Sequence, residues 1–142
     1  MALVLKRDTF TPLKKQPIYF SDIDTLFKPN FGFRDIGAVD NVDAVKNSIR
    51  NIVLTNRGER FFNKDFGCDV RKMLFENFDS STEASIKSFI ELAISNFEPR
   101  AKLIDVSVSG EPDLNAFAVT ITFSTINSID PQTLDLILTR VR

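Results

Sequence analysis

The stretch SSTEASIKSFIELAISNF (80–97), EPR (98–100), AKLIDVSVS (101–109) changes its apolar period across a single proline. Before the proline, Ile86, Phe89, Ile90, Ala93, Ile94 and Phe97 form one continuous helical stripe, with Lys87, Ser88, Glu91 and Ser95 filling the remainder. Pro99 has no amide hydrogen and disfavours helical geometry at Glu98, so the helix ends there and the chain turns. Beyond it, Ile104, Val106 and Val108 alternate with Asp105, Ser107 and Ser109, which is the period of a strand. Asp79 or Ser80 caps the helix, and Ser80 and Glu83 stand at the spacing of a capping box. The stripe is core, because burying each of its larger side chains stabilises by roughly 1.5 to 3 kcal/mol before entropy is charged.

Downstream of the corner the strand period continues. Gly110-Glu111-Pro112-Asp113 supplies a turn, and Phe117, Val119, Ile121 and Phe123 alternate with small or polar residues, completing an antiparallel hairpin. After a loop around Asp130-Pro131, Leu134, Leu136 and Leu138 alternate with Thr133, Asp135, Ile137 and Thr139 in a third strand running to the C-terminus. Upstream, Val42, Val45, Ile49, Ile52 and Val53 recur at helical spacing behind an N-cap at Asp40 or Asn41. That helix ends near Thr55, where Gly58 of Asn56-Arg57-Gly58 takes left-handed geometry. Phe61 and Phe62 read as apolar anchors, Phe66-Gly67 as a turn, and Val70, Met73 and Leu74 as a short helix beginning at Asp69.

The first 40 residues carry Pro12, Pro17, Pro29, Gly32 and Gly37, which argue against a long helix. Ile18-Tyr19-Phe20 fits a short strand, and Phe27, Phe31 and Phe33 form an apolar cluster in an otherwise irregular arm. The expected class is α+β. An N-terminal arm (1–40) precedes a domain (41–142) of two to three helices packed on an antiparallel three-stranded sheet, with an edge open to strand addition.

Composition narrows the chemistry. The 142 residues are 43% hydrophobic and 26% charged, enough for one domain to bury its own core. Lys and Arg total 18 against 19 Asp and Glu, so the net charge of −1 gives no basic field for nucleic acid. No run reaches the roughly 18 apolar residues of a membrane span, and Met1–Leu5 is too short for a signal-peptide core. Synthesis and retention in a cytoplasm are therefore expected. Histidine is absent, which removes Ser-His and Cys-His nucleophile pairs and His-based zinc sites. Cys68, the single cysteine, reads as a buried structural thiol. Asp22-Ile23-Asp24 has no further ligands at loop spacing and reads as a solvated turn. No cofactor and no metal are expected. Fourteen Phe, one Tyr and no Trp suit cores and hydrophobic interfaces better than sugar-binding grooves.

Taken in order, Thr55-Asn56-Arg57-Gly58-Glu59-Arg60, Phe66-Gly67, Leu74-Phe75-Glu76 and Glu98-Pro99-Arg100 give the chain a resemblance from about Asn41 to Arg142. It resembles the small baseplate wedge proteins of contractile phage tails, which initiate tail-sheath assembly and have relatives in type VI secretion baseplates. The resemblance implies a non-enzymatic structural subunit of a virion baseplate, assembled in the host bacterial cytoplasm. Its implied partners are wedge core subunits and the tail sheath protein, with tail tube or hub neighbours left open.

By that resemblance Glu98, Pro99 and Arg100 attach the protein to the helical wedge core. Chemically, Arg100 offers a planar fork to a carboxylate, and Glu98 can accept hydrogen bonds from a facing helix or loop. The resemblance also implies strand exchange with the first sheath ring through Thr133, Leu134, Asp135, Leu136, Ile137, Leu138, Thr139, Arg140 and Val141, since a three-stranded sheet leaves two edges with unpaired backbone groups. Which edge is free stays open at this point. Against these readings stand plainer ones: charges solvating a helix end, an edge covered by the N-terminal arm, and Asp135 and Arg140 as guards against aggregation. Thr55, Gly58, Glu59 and Arg60 read as structural, through a helix terminus and a buried ion pair. The alternative function is a peptidoglycan-cleaving glycoside hydrolase, since members of the family have carried a lysozyme label. Such a reaction needs only two carboxylates, with Glu59, Glu76, Glu91 and Glu98 as candidates and no Trp platform to hold the sugar.

Overall fold

Asp79 starts the element that organises the rest. Its carboxylate accepts from the amide of Thr82 at 2.7 Å, capping α3 (Ser80–Phe97). The capping box does not form. Glu83 reaches across to β5 (Ala101–Glu111) instead, where its Oε1 accepts from the amide of Gly110 at 2.8 Å. Ile86, Ile90, Ala93 and Ile94 are fully buried, with Phe89 and Phe97 packed at the margin. The computed structural model describes residues 17–25, 29–30 and 35–140.

The chain is α+β. β5, β6 (Ala116–Thr125) and β7 (Ser128–Thr139) make an antiparallel sheet in the order β5-β6-β7. β6 supplies its centre, with Phe117, Val119, Ile121 and Phe123 all buried, and β7 adds Leu134, Leu136 and Leu138 on the same side. α3 packs on β5, and α1 (Asn41–Leu54) packs on α3 through Val45, Ile49, Ile52 and Val53. Between them, α2 (Val70–Met73) follows its N-cap Asp69.

Several local expectations shift. A bulge between Leu103 and Asp105 moves the register, so Leu103 faces the core and Ile104 is 56% exposed rather than inward. The first turn is a single 3-10 turn, Pro112–Leu114, closed by Asn115 at φ 49°. The second is a two-residue turn at Ile126-Asn127, so β7 begins at Ser128 and runs through Asp130-Pro131. Proline is tolerated there because β7 is an edge strand.

The arm is less irregular than its composition suggests. β1 (Ser21–Ile23) pairs with β4 (Ala38–Asp40), and β2 (Pro29–Asn30) pairs with β3 (Asp35–Ile36), giving nested antiparallel ladders. Strands of two or three residues are too short to show a period. Ile18-Tyr19-Phe20 lies outside any strand, because Asn41 satisfies that backbone by itself. Its Oδ1 accepts from the amides of Tyr19 and Phe20, its Nδ2 donates to the carbonyl of Pro17, and its own amide donates to the carbonyl of Phe20. Asn41 does this at φ 50°, a conformation Asn tolerates better than most residues. The cluster of Phe27, Phe31 and Phe33, and the terminal Val141, lie outside the described residues.

Candidate functional site

The corner at Glu98-Pro99-Arg100 is held from inside. The Arg100 guanidinium donates from Nε to Glu98 Oε1 at 2.6 Å and from Nη2 to Oε2 at 2.7 Å. This two-toothed pair fixes both planes. Burial opposes the charge on Glu98, but bonds from Arg100 and from the Ser48 hydroxyl of α1 outweigh it and hold the carboxyl below its ordinary 4.5. The Arg100 backbone carbonyl accepts from the amide of Ile126 in the β6–β7 turn, and its guanidinium lies 5.5 Å from the ring centroid of Phe20. Asp22 adds a favourable field at Arg100, behind the larger effect of Glu98. The corner's side chains meet α1 and the arm, and its backbone meets the β6–β7 turn.

That geometry corrects how the corner can make contacts. The Glu98 side chain is 2% exposed and fully engaged, so it is not available to accept from a facing helix. Pro99 is exposed, and the Arg100 side chain keeps 29% of its surface, so the outward part of the corner is the proline ring and the outer edge of the guanidinium.

The second expected site is the sheet edge. Among the described residues no strand pairs with the outer side of β5 or of β7, and the arm's ladders form separate sheets. In β7, Leu134, Leu136 and Leu138 face the helices, while Thr133, Asp135, Ile137 and Thr139 lie on the exposed face. Asp135 accepts from the Thr120 hydroxyl across the sheet at 2.8 Å. Arg140 donates to the carbonyls of Leu74 and Glu76, closing the end of α2. A cleft of about 230 Å³ opens beside it, walled by Val53, Leu54, Val70, Leu74, Phe75 and Leu138.

The loop from Thr55 to Gly67 departs most from its sequence reading. Glu59 and Arg60 form no buried ion pair. Glu59 accepts from the amide of Asn56 at 2.9 Å, and Arg60 lies 3.9 Å over the ring of Phe66, which itself contacts Phe97. Arg57 and Lys72 pair instead with Asp69. Gly58 and Gly67 both have positive φ. A β-carbon on Gly67 would sit 2.4 Å from the carbonyl oxygen of Thr55, which also accepts from the Cys68 amide. The supposed anchors point outward: Phe61 is 92% exposed and Phe62 106%. Cys68 is buried, and burial pushes its thiol up.

A profile of the baseplate wedge protein gp25 family matches residues 39–128. The chain belongs to this family. It is 35% identical over 111 residues to baseplate wedge protein gp25 of Enterobacteria phage T4, an alignment covering 78% of this chain and 83% of the relative. Among solved structures, a putative tail lysozyme from Geobacter sulfurreducens superposes with a TM-score of 0.63 at 25% identity, over 70% of this chain and 91% of that one. The anti-feeding prophage baseplate contains a chain with TM-score 0.60 at 21% identity, over 86% of this chain and 87% of that one, which speaks to fold alone.

The candidate glutamates are scattered in role as well as in sequence. Glu98 is an ion-paired carboxylate held below its ordinary range, the opposite of what a general acid needs. Glu59 caps a turn, Glu91 lies 3.9 Å from Lys87, and Glu76 is exposed. None of the four lines the cleft beside β7. Among the described residues no group of three or more potential metal ligands occurs, and no helix is long and apolar enough to cross a membrane.

Proposed function

We propose that this protein is a non-enzymatic structural subunit of a contractile-tail baseplate in the virion, assembled in the bacterial cytoplasm. In this reading it attaches to the wedge core through the outward part of the Glu98-Pro99-Arg100 corner, with domain 41–142 as the working unit. Its sheet then starts tail-sheath polymerisation by pairing with a strand of the first sheath ring along Thr133 to Val141. The observation that carries the reading is the three-stranded sheet whose outer strand β7 pairs with no further strand among the described residues, in a chain belonging to a baseplate wedge family. A sheet edge gives a partner both register and direction, which is what a template for an ordered lattice requires.

The test is deletion of the gene in cells that assemble the particle, followed by electron microscopy. Tubes without sheath are expected, with sheathing restored by the gene in trans. Normally sheathed tails would sink the initiator role. The hydrolase reading draws on the likeness to a putative tail lysozyme. It predicts cleared peptidoglycan from purified protein, whereas the ion pairing of Glu98 supports an inert surface.

A further inference from the structure

The loop between α1 and α2 is tightly built, yet it leaves the two aromatic residues at its tip in water. Its frame is local: the Gly58 amide donates to the Lys64 carbonyl at 2.8 Å, the Phe66 amide to the Asn63 carbonyl at 3.3 Å, and the Cys68 amide to the Thr55 carbonyl at 2.8 Å. The Asn56 amide donates to Glu59, and the Phe66 ring meets both the Arg60 guanidinium and Phe97, the last residue of α3. None of these contacts uses the ring of Phe61 or Phe62. The loop keeps its shape without them.

Single exposed apolar side chains are ordinary, but two adjacent rings at 92% and 106% exposure leave roughly 300 Å² of apolar surface in water. A tip whose shape is fixed in advance loses little freedom on docking. That gain counts against a surface with a shape of its own, which a protein pocket has and a fluid bilayer lacks. The charge around the rings has one sign in excess. Between Thr55 and Lys72 the chain carries five Lys or Arg to three Asp or Glu, although its overall net charge is −1. Two of those carboxylates are already engaged, Glu59 by the Asn56 amide and Asp69 by Arg57 and Lys72. Arg60 and Lys64 are exposed beside the third, Asp65, and Lys64 has no ion pair among the described residues. At the same end of α3, the Arg100 side chain keeps 29% of its surface. The rim of the tip is therefore cationic.

We propose that the Phe61-Phe62 tip is a docking knob, and that its occupant is a pocket on another protein of the particle, apolar at its centre and rimmed by carboxylates. The two rings fill the pocket, while Lys64 and Arg60 meet the acidic rim and set the orientation. Aromatic residues entering a pocket carry most of the affinity of such contacts. The knob depends neither on strand pairing at the sheet nor on the contact made by the corner, so a failure of either leaves it standing.

Photocrosslinking tests it in assembled particles. Benzoylphenylalanine is placed at Phe61 or at Phe62, the purified particles are irradiated, and the joined peptides are sequenced by mass spectrometry. One peptide of a different protein is expected, apolar and with at least two Asp or Glu near the joined residue. No joined peptide, a peptide without carboxylates, or a second copy of this chain would overturn the proposal. Competition gives a second reading: cells express the parent together with Phe61→Ser/Phe62→Ser or with Lys64→Glu, and the ratio of the two forms in particles is counted. Thermal midpoints should be unchanged, since neither ring is buried and Lys64 is unpaired. The double variant should be under-represented by at least about tenfold and Lys64→Glu by about threefold, with Lys64→Arg level with the parent. Equal incorporation of the double variant would sink the knob. Flotation of the purified protein with phosphatidylglycerol vesicles is expected to show no binding; binding that the double variant loses would mean a lipid surface and would overturn the protein pocket.

Discussion

The corner at Glu98–Arg100 and the loop from Thr55 to Gly67 look alike as sequence: each follows a helix, each turns on a Gly or Pro, and each carries opposite charges. In the fold they behave in opposite ways. The corner turns its charges inward, onto one another and onto Ser48, and shows the solvent a proline and part of a guanidinium. The loop spends Glu59 on its own backbone, lays Arg60 over Phe66, leaves Arg57 44% exposed beside Asp69, and presents Phe61 and Phe62 outward. Residue type in a turn therefore does not report exposure. What decides is whether a complementary group arrives from elsewhere in the chain, as Ser48 does at the corner.

The largest expected effect lies at the corner. Arg100→Glu places a second carboxylate beside a buried one, so a loss of about 3 to 5 kcal/mol in chemical denaturation is expected, and failed incorporation of that variant would report folding rather than contact. The pH dependence follows from the direction of the Glu98 shift. A carboxyl held below its ordinary 4.5 contributes stability fully above that value and loses it as pH falls through the lower folded value. The difference in denaturation midpoint between the parent and Glu98→Gln should accordingly narrow as pH falls below 4.5. An unchanged difference down to acid unfolding would mean the pair is not what holds the corner.

In the loop the two glycines separate strain from collision. Gly67→Ala forces a β-carbon against the Thr55 carbonyl at φ 114° and should cost about 3 kcal/mol. Gly58→Ala, at φ 84° with open space around it, should cost about 1 kcal/mol. Equal costs would show that the loop relaxes around Gly67. Smallest of all, Phe61→Ser with Phe62→Ser should move stability by less than about 0.5 kcal/mol, since neither ring is buried. A large loss would mean that the rings pack in solution and would erase the contrast with the corner.

The fold was legible wherever apolar period ran long. α3, the inward face of β6 and the leucines of β7 stand where the sequence places them, because a stripe of six or an alternation of four has one way to be buried. Short-range detail was not. Glu83 stands three residues after Ser80 as a capping box requires, yet a sheet amide outcompetes the helix terminus for it. Ile104 alternates correctly with Val106, yet the bulge turns it out. At the candidate site the tripeptide itself was visible, whereas its internal pairing was not. Asn41 was visible only as a helix start, though an Asn at a helix boundary beside a proline-bounded segment is a fair signal of a backbone staple.

By itself the sequence determined the α+β order, the corner at Pro99, the left-handed Gly58 and the leucine face of β7. Periodicity and missing amide hydrogens are local properties, set within a few residues of the chain. Only the tertiary structure decided that Glu98 belongs to Arg100 and Ser48, that Glu83 takes the amide of Gly110 on β5, and that Leu138 of β7 lines a cleft with Val53, Val70 and Leu74. These depend on which groups meet after the chain has folded, and the energy of a charge or a backbone amide is fixed by the partner it meets, not by its neighbours in sequence.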